Sequence, residues 1–140
     1  DTRAKGATPI VCSLVPRKSW RDGKIVRNRN DYAGWAEQVA SAEHAPFIDL
    51  NEIIARRYEE LGPEKVNALF ADERTHTSEA GAEVNAQCVI AGLLLLHDDP
   101  LQPYLRPATL AHSTDDHAAL LAPSAESAHE HPAAHAPTPH

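Results

Sequence analysis

The sequence predicts an α/β fold with about two strands and four helices, on three observations. Two short runs, residues 8–15 and 46–50, are predominantly apolar instead of alternating, as in parallel strands covered on both faces. Between and after them, apolar residues recur at spacings of three and four, the helical period. The order strand, helix, strand, helix, helix, helix is that of an α/β unit.

The elements follow in order. Residues 8–15 hold Ile10, Val11, Leu14 and Val15 and are closed by Pro16, which suits a buried strand. Residues 16–30 switch to Arg, Lys, Asp, Gly and Asn, a basic loop longer than most connections. Asn30 or Asp31 can cap a helix whose apolar face is Tyr32, Trp35, Ala36, Val39 and Ala42, with Trp35 in the core. Residues 46–50 are the second strand. Asn51 is placed to cap a helix with Ile53, Ile54, Arg57, Tyr58 and Leu61 on successive turns, stopped by Gly62. Pro63 suits the first position of a further helix bearing Val66, Leu69 and Phe70, because its missing N–H costs nothing there. Residues 71–77 are a polar loop. Thr77 or Ser78 opens the last helix, with Ala80, Val84, Cys88, Ala91 and Leu95 along one face.

Charge and composition exclude several functions. A formal net charge of -7 would repel nucleic acid and anionic membranes alike. The longest apolar run, residues 89–96, is far too short to span a bilayer. The N-terminus shows no signal-peptide pattern. Cys12 and Cys88 lie in apolar stretches and read as small buried hydrophobes. Residues 98–140 hold seven of the 11 prolines and six of the 9 histidines, with six acidic residues against Arg106. We divide the chain into an ordered portion, residues 1–107, and a Pro/Ala/His-rich tail, residues 108–140, expected to be disordered because it lacks apolar groups to offset ordering entropy. The tail histidines fit no zinc spacing, so no metal site is expected. Two strands are few for four amphipathic helices, and the start at Asp1 suits a piece of a longer protein.

Four blocks carry a family resemblance: Gly6-Ala7-Thr8-Pro9-Ile10-Val11-Cys12-Ser13-Leu14-Val15-Pro16-Arg17-Lys18, then Asn30-Asp31-Tyr32-Ala33-Gly34-Trp35, then Pro46-Phe47-Ile48-Asp49-Leu50-Asn51, then Thr75-His76-Thr77-Ser78-Glu79-Ala80-Gly81-Ala82. In this order they resemble the C-terminal part of rhamnogalacturonan acetylesterases, members of the SGNH or GDSL hydrolases, over roughly residues 6–97. The resemblance implies a flavodoxin-like three-layer fold, of which only the C-terminal portion is present. It also implies a Ser–His–Asp triad, no cofactor, a substrate of acetylated pectic polysaccharide or oligosaccharide, and an extracellular or periplasmic setting.

His76 matches the family's general base. The family's carboxylate stands three positions earlier, which is Glu73 here, while Asp72 lies one residue before that. Glu73 is the expected orienting group and Asp72 the alternative, since either carboxylate can accept from the imidazole. Arg17, Lys18, Trp20 and Arg27 are candidate substrate contacts: the basic loop follows a strand's C-terminal end, where open α/β sheets bind ligands. An Arg fork would suit a galacturonate carboxylate and an indole a sugar ring. No Gly-Asp-Ser block occurs, nor Gly-x-Asn-Asp, so the 140 residues are expected to be inactive alone. The reading is therefore a serine-type acetylesterase portion, partnered by the missing N-terminal portion of its own domain. The alternatives are a non-catalytic carbohydrate-binding remnant and a protein-interaction fragment.

Overall fold

A computed structural model describes residues 1–27, 30–97 and 100–105. In chain order the elements are β1 (Val11–Cys12), β2 (Trp20–Arg21), β3 (Lys24–Ile25), α1 (Tyr32–Ala42), β4 (Phe47–Ile48), α2 (Leu50–Ala68) and α3 (Glu79–Leu94), with 3-10 turns at Arg3–Lys5 and Gln102–Tyr104. The result is a small α/β unit. The expected tail, residues 108–140, lies outside the described residues.

β1 and β4 pair in parallel, Val11 opposite Phe47 and Cys12 opposite Ile48. They are joined through α1, the crossover that parallel strands require. Both anticipated strands exist, but the ladder shrinks to two residues each, because backbone pairs only where a neighbour is present. Ser13 fastens its end: its N–H donates to Ile48 O at 3.0 Å, its Oγ donates to Asp49 Oδ1 at 3.1 Å, and the same Oγ accepts from Asn51 N at 2.8 Å.

The basic loop contains an unanticipated hairpin. β2 and β3 are antiparallel, Trp20 opposite Ile25, and turn through Asp22 and Gly23 at φ of 52° and 77°. Positive φ at both central residues is the primed turn that an Asp-Gly pair favours. Ile25 is thereby delivered into the core at 1% exposure.

α2 answers to the two helices expected. Gly62 breaks it at φ 80°, ψ 160°, and Pro63 restarts it. Ile53, Ile54, Ala55, Tyr58 and Val66 are buried on its inner face. The cap is Asp49, which accepts from Glu52 N, instead of Asn51, which is buried and donates to Leu14 O at 3.0 Å. Ser78 caps α3 as anticipated, accepting from Gly81 N at 3.3 Å. Tyr58 crosses to α3 with its hydroxyl on Asn85 Oδ1 at 2.9 Å and its ring edge-on to Phe70.

Two expectations about burial are corrected. On α1 the residues that pack inward are Ala33 and Ala40, while Tyr32, Trp35 and Val39 are 69%, 54% and 57% exposed. Helical periodicity located an apolar stripe, but the described residues offer nothing to cover it. Cys12 is exposed as well, and only Cys88 is the buried thiol expected of both. Among the described residues no helix is long and apolar enough to cross a membrane.

α3 approaches the sheet through Gly92, where a Cβ would lie 2.4 Å from Ile48 Cγ2. Gly92→Ala should therefore destabilise the chain by about 1–3 kcal/mol, the cost of overpacking. Urea unfolding of the single variant beside Gly92→Ala/Ile48→Leu checks this. Leucine has no Cγ2 methyl, so the double variant should recover part of the loss.

Candidate active site

His76 stands on a loop closed by backbone pairing. Phe70 bridges Thr77, and Ala71 N donates to His76 O at 2.8 Å. On the downstream side Gly81 lets α3 start against the neighbouring turn, for a Cβ there would lie 2.0 Å from Leu69 O. Asp72 organises the interior of the loop. Its Oδ1 accepts from the N–H groups of Arg74, Thr75 and His76 at 3.0, 2.7 and 3.0 Å, as Asx side chains do in turns. Its Oδ2 lies 2.5 Å from His76 Nδ1.

The imidazole is thus held by a carboxylate on one nitrogen. The His76 side chain is 81% exposed, which leaves the Nε2 side of the ring toward solvent. The Thr75 and His76 N–H groups, then the His76 ring, hold the Asp72 carboxyl well below its usual range. Glu73, the carboxylate expected to orient the ring, is exposed and makes no hydrogen bond or ion pair among the described residues. The turn explains the reversal. With Asp72 bonded to three successive amides, the chain curls round it and position i+4 comes back over the carboxylate.

The other candidates divide. Lys18 N donates to Arg74 O at 2.9 Å, joining the segment after β1 to the His76 loop. Lys18 Nζ donates to Asn67 Oδ1 at 2.6 Å and lies 5.3 Å from the Phe70 ring centroid, a cation–π contact. Arg27 reaches α2 instead of a ligand. Its Nε donates to Glu52, Nη1 to Ile25 O and Glu59, and Nη2 to both carboxylates. All five N–H groups of the fork are engaged. Burial works to lower the guanidinium pKa, but the hydrogen bonds and charges of Glu59 and Glu52 outweigh it and raise it. No local pattern marks this pairing, because Glu52 and Glu59 lie 25 and 32 residues from Arg27 along the chain. Trp20 pairs with Ile25 in the hairpin and packs half-buried against the core, whereas Trp35 is the exposed indole. Trp35 thus does not join the core as expected. Arg17 is exposed and makes no ion pair among the described residues.

Ser13 is 3% exposed and spends its hydroxyl on Asp49 and Asn51, so it serves as a strand brace. Among the described residues no group of three or more His, Cys, Asp or Glu side chains could hold a metal ion.

With this geometry in view, comparison with known proteins gives the lineage. A rhamnogalacturonan acetylesterase of Emericella nidulans is 28% identical over 90 residues, 64% of this chain and 37% of that protein. A probable rhamnogalacturonan acetylesterase of Bacillus subtilis is 31% identical over 96 residues, 65% of this chain and 44% of the relative. The chain is their distant homologue, of esterase lineage. It spans less than half the length of these curated relatives. No family model matches it.

Two outcomes follow from the electrostatics. A carboxyl whose folded pKa is depressed contributes stability above its unfolded value, and that contribution is lost as pH falls through the folded one. The stability that Asp72 adds over Asp72→Asn should therefore persist at pH values above the ordinary carboxyl value of 3.8 and be lost only in stronger acid. Urea titrations across that range check it. Arg27→Ala should cost about 3 kcal/mol, because two part-buried carboxylates lose their common partner. Arg27→Lys should recover little, since an ammonium cannot span both.

Proposed function

We propose that this chain carries the base and orienting carboxylate of a serine-type carbohydrate O-acetylesterase. It acts as part of a longer protein on acetylated rhamnogalacturonan or a related pectic glycan. The observation that supports this most is the His76 Nδ1–Asp72 Oδ2 contact, on a loop inside the stretch shared with the acetylesterases. Asp72 fixes the tautomer with the proton on Nδ1, leaving Nε2 as the base. Nε2 takes the proton of a serine hydroxyl supplied from outside these 140 residues as its oxygen attacks the acetyl carbonyl. The same proton then passes to the departing sugar oxygen, leaving an acetyl-serine. Water, deprotonated by His76 in turn, releases acetate and restores the serine. No cofactor enters this scheme.

Arg17 is the cation we assign to a substrate carboxylate, because Arg27 and Lys18 are engaged within the fold. The same engagement weakens the carbohydrate-binding alternative, which needed the basic loop free.

The test compares the 140-residue chain with the product of the complete gene on p-nitrophenyl acetate. The chain alone should do no better than free imidazole at equal concentration. In the complete protein, His76→Ala should lower kcat by about 10⁴-fold, since triad members act as a unit. Asp72→Asn should cost about 10⁴-fold through the wrong tautomer, and Glu73→Gln should be nearly silent. Full activity in His76→Ala would end the assignment. A severe loss in Glu73→Gln beside a silent Asp72→Asn would return the orienting role to Glu73.

A further inference from the structure

The loop that carries His76 is closed on itself. Its neck is the Phe70–Thr77 bridge with Ala71 N on His76 O, and Ser78 returns to the end of α2 through Leu69 O and Ala68 O. Its interior is Asp72, bonded to the amides of Arg74, Thr75 and His76. These bonds give the loop a shape but not a location, because all of them fall within residues 68–78. Among the described residues, a single hydrogen bond joins residues 71–77 to the chain outside residues 67–82, and it is Lys18 N on Arg74 O at 2.9 Å.

Lys18 is itself fixed from several sides. Its ammonium donates to Asn67 Oδ1 at 2.6 Å and lies 5.3 Å from the Phe70 ring centroid. Asn67 is in the last turn of α2 and Phe70 is half of the neck, so the side chain grips the foot of the loop while the amide grips its middle. Just upstream, Pro16 is fully buried. Just downstream, Ser19 O accepts from Val26 N at the base of the β2–β3 hairpin, which Arg27 clamps to α2. We propose that Lys18 is a positioning residue for His76: it sets where the imidazole stands beside the end of β1, while Asp72 sets the orientation of the ring. The proposal rests on the esterase reading of His76 as the base. The division follows from reach. The Asp72–His76 contact spans four residues and survives any rigid shift of the loop. The approach of Nε2 to a nucleophile brought from elsewhere does not, and a misplacement of about 1 Å there costs roughly 100-fold in rate. An ammonium set on an amide oxygen and an aromatic face resists sliding as an apolar stem would not.

The test uses the complete gene product on p-nitrophenyl acetate, with the 140-residue chain beside it. Lys18→Met keeps the length of the side chain and removes the charge. It should lower kcat by about 100-fold and leave KM within about twofold, since location of the base and not binding is disturbed. Lys18→Arg should restore most of the rate, because a guanidinium keeps both side-chain contacts. Asn67→Ala should reproduce part of the loss, and the double variant should cost no more than Lys18→Met alone. In the 140-residue chain, Lys18→Met should speed deuterium exchange of the amide at position 18 by about tenfold. The ring 15N shifts of His76 should keep reporting the proton on Nδ1. Parental kcat in Lys18→Met overturns the proposal, and so does a loss that merely tracks a smaller folded fraction by circular dichroism. A changed tautomer of His76 also overturns it, because Lys18 would then act on the ring's orientation. A parent protein without turnover sinks the esterase reading instead. Exchange at position 18 then decides whether Lys18 holds the loop, and an unchanged rate overturns that.

Discussion

Everything in this molecule hangs on the end of a two-residue parallel ladder. Two strands of that length have little register of their own, and Ser13 supplies it. Its amide bonds Ile48 O, and its hydroxyl joins Asp49 to the amide of Asn51. Asp49 in turn caps α2, and Asn51 reaches back to Leu14 O. One buried hydroxyl thereby ties β1, the end of β4 and the first turn of the longest helix into a single polar knot. A hydroxyl that both donates and accepts a hydrogen bond has its desolvation cost offset in the core, which explains why a serine stands among apolar residues there.

From that knot the two loops that matter are placed by different forces. The hairpin β2–β3 is clamped to α2 by the Arg27 fork, which draws Glu52 and Glu59 together and lets Ile25 fill the core. Two cations of the basic loop, Lys18 and Arg27, thus serve the fold. The His76 loop is shaped by its own Asp72, with the Phe70–Thr77 bridge at its base and Lys18 N on Arg74 O at its flank. Because the constraint is local, the His–Asp contact is preorganised even though the ring is exposed. Preorganisation of this kind would suit the general base proposed for His76.

The candidate site was legible in the sequence as a region. Thr75-His76-Thr77 marked the loop, and Ser78 marked the helix start behind it. Which carboxylate meets the ring was not legible. The family resemblance pointed to Glu73 at i−3, but three backbone amides captured Asp72, and the turn they formed brought i+4 onto it. Arg27 shows the same limit. Its partners lie 25 and 32 residues away, a distance over which neither periodicity nor composition carries information.

By itself the sequence determined the local choices: two apolar strands, the break at Gly62 and Pro63, the cap at Ser78 and the loop that bears His76. Each is set by backbone sterics or by hydrogen bonds within a few residues, which the order of side chains encodes directly. It also held the β2–β3 turn, since Asp22-Gly23 between Trp20 and Ile25 favours positive φ twice. Tertiary structure alone decided which apolar side chains are covered. Trp20 and Trp35 look alike in sequence, but the hairpin folds Trp20 against the core while α1 turns Trp35 outward. Burial is a property of the neighbours that arrive from elsewhere in the chain, and a residue's own surroundings in sequence cannot state it.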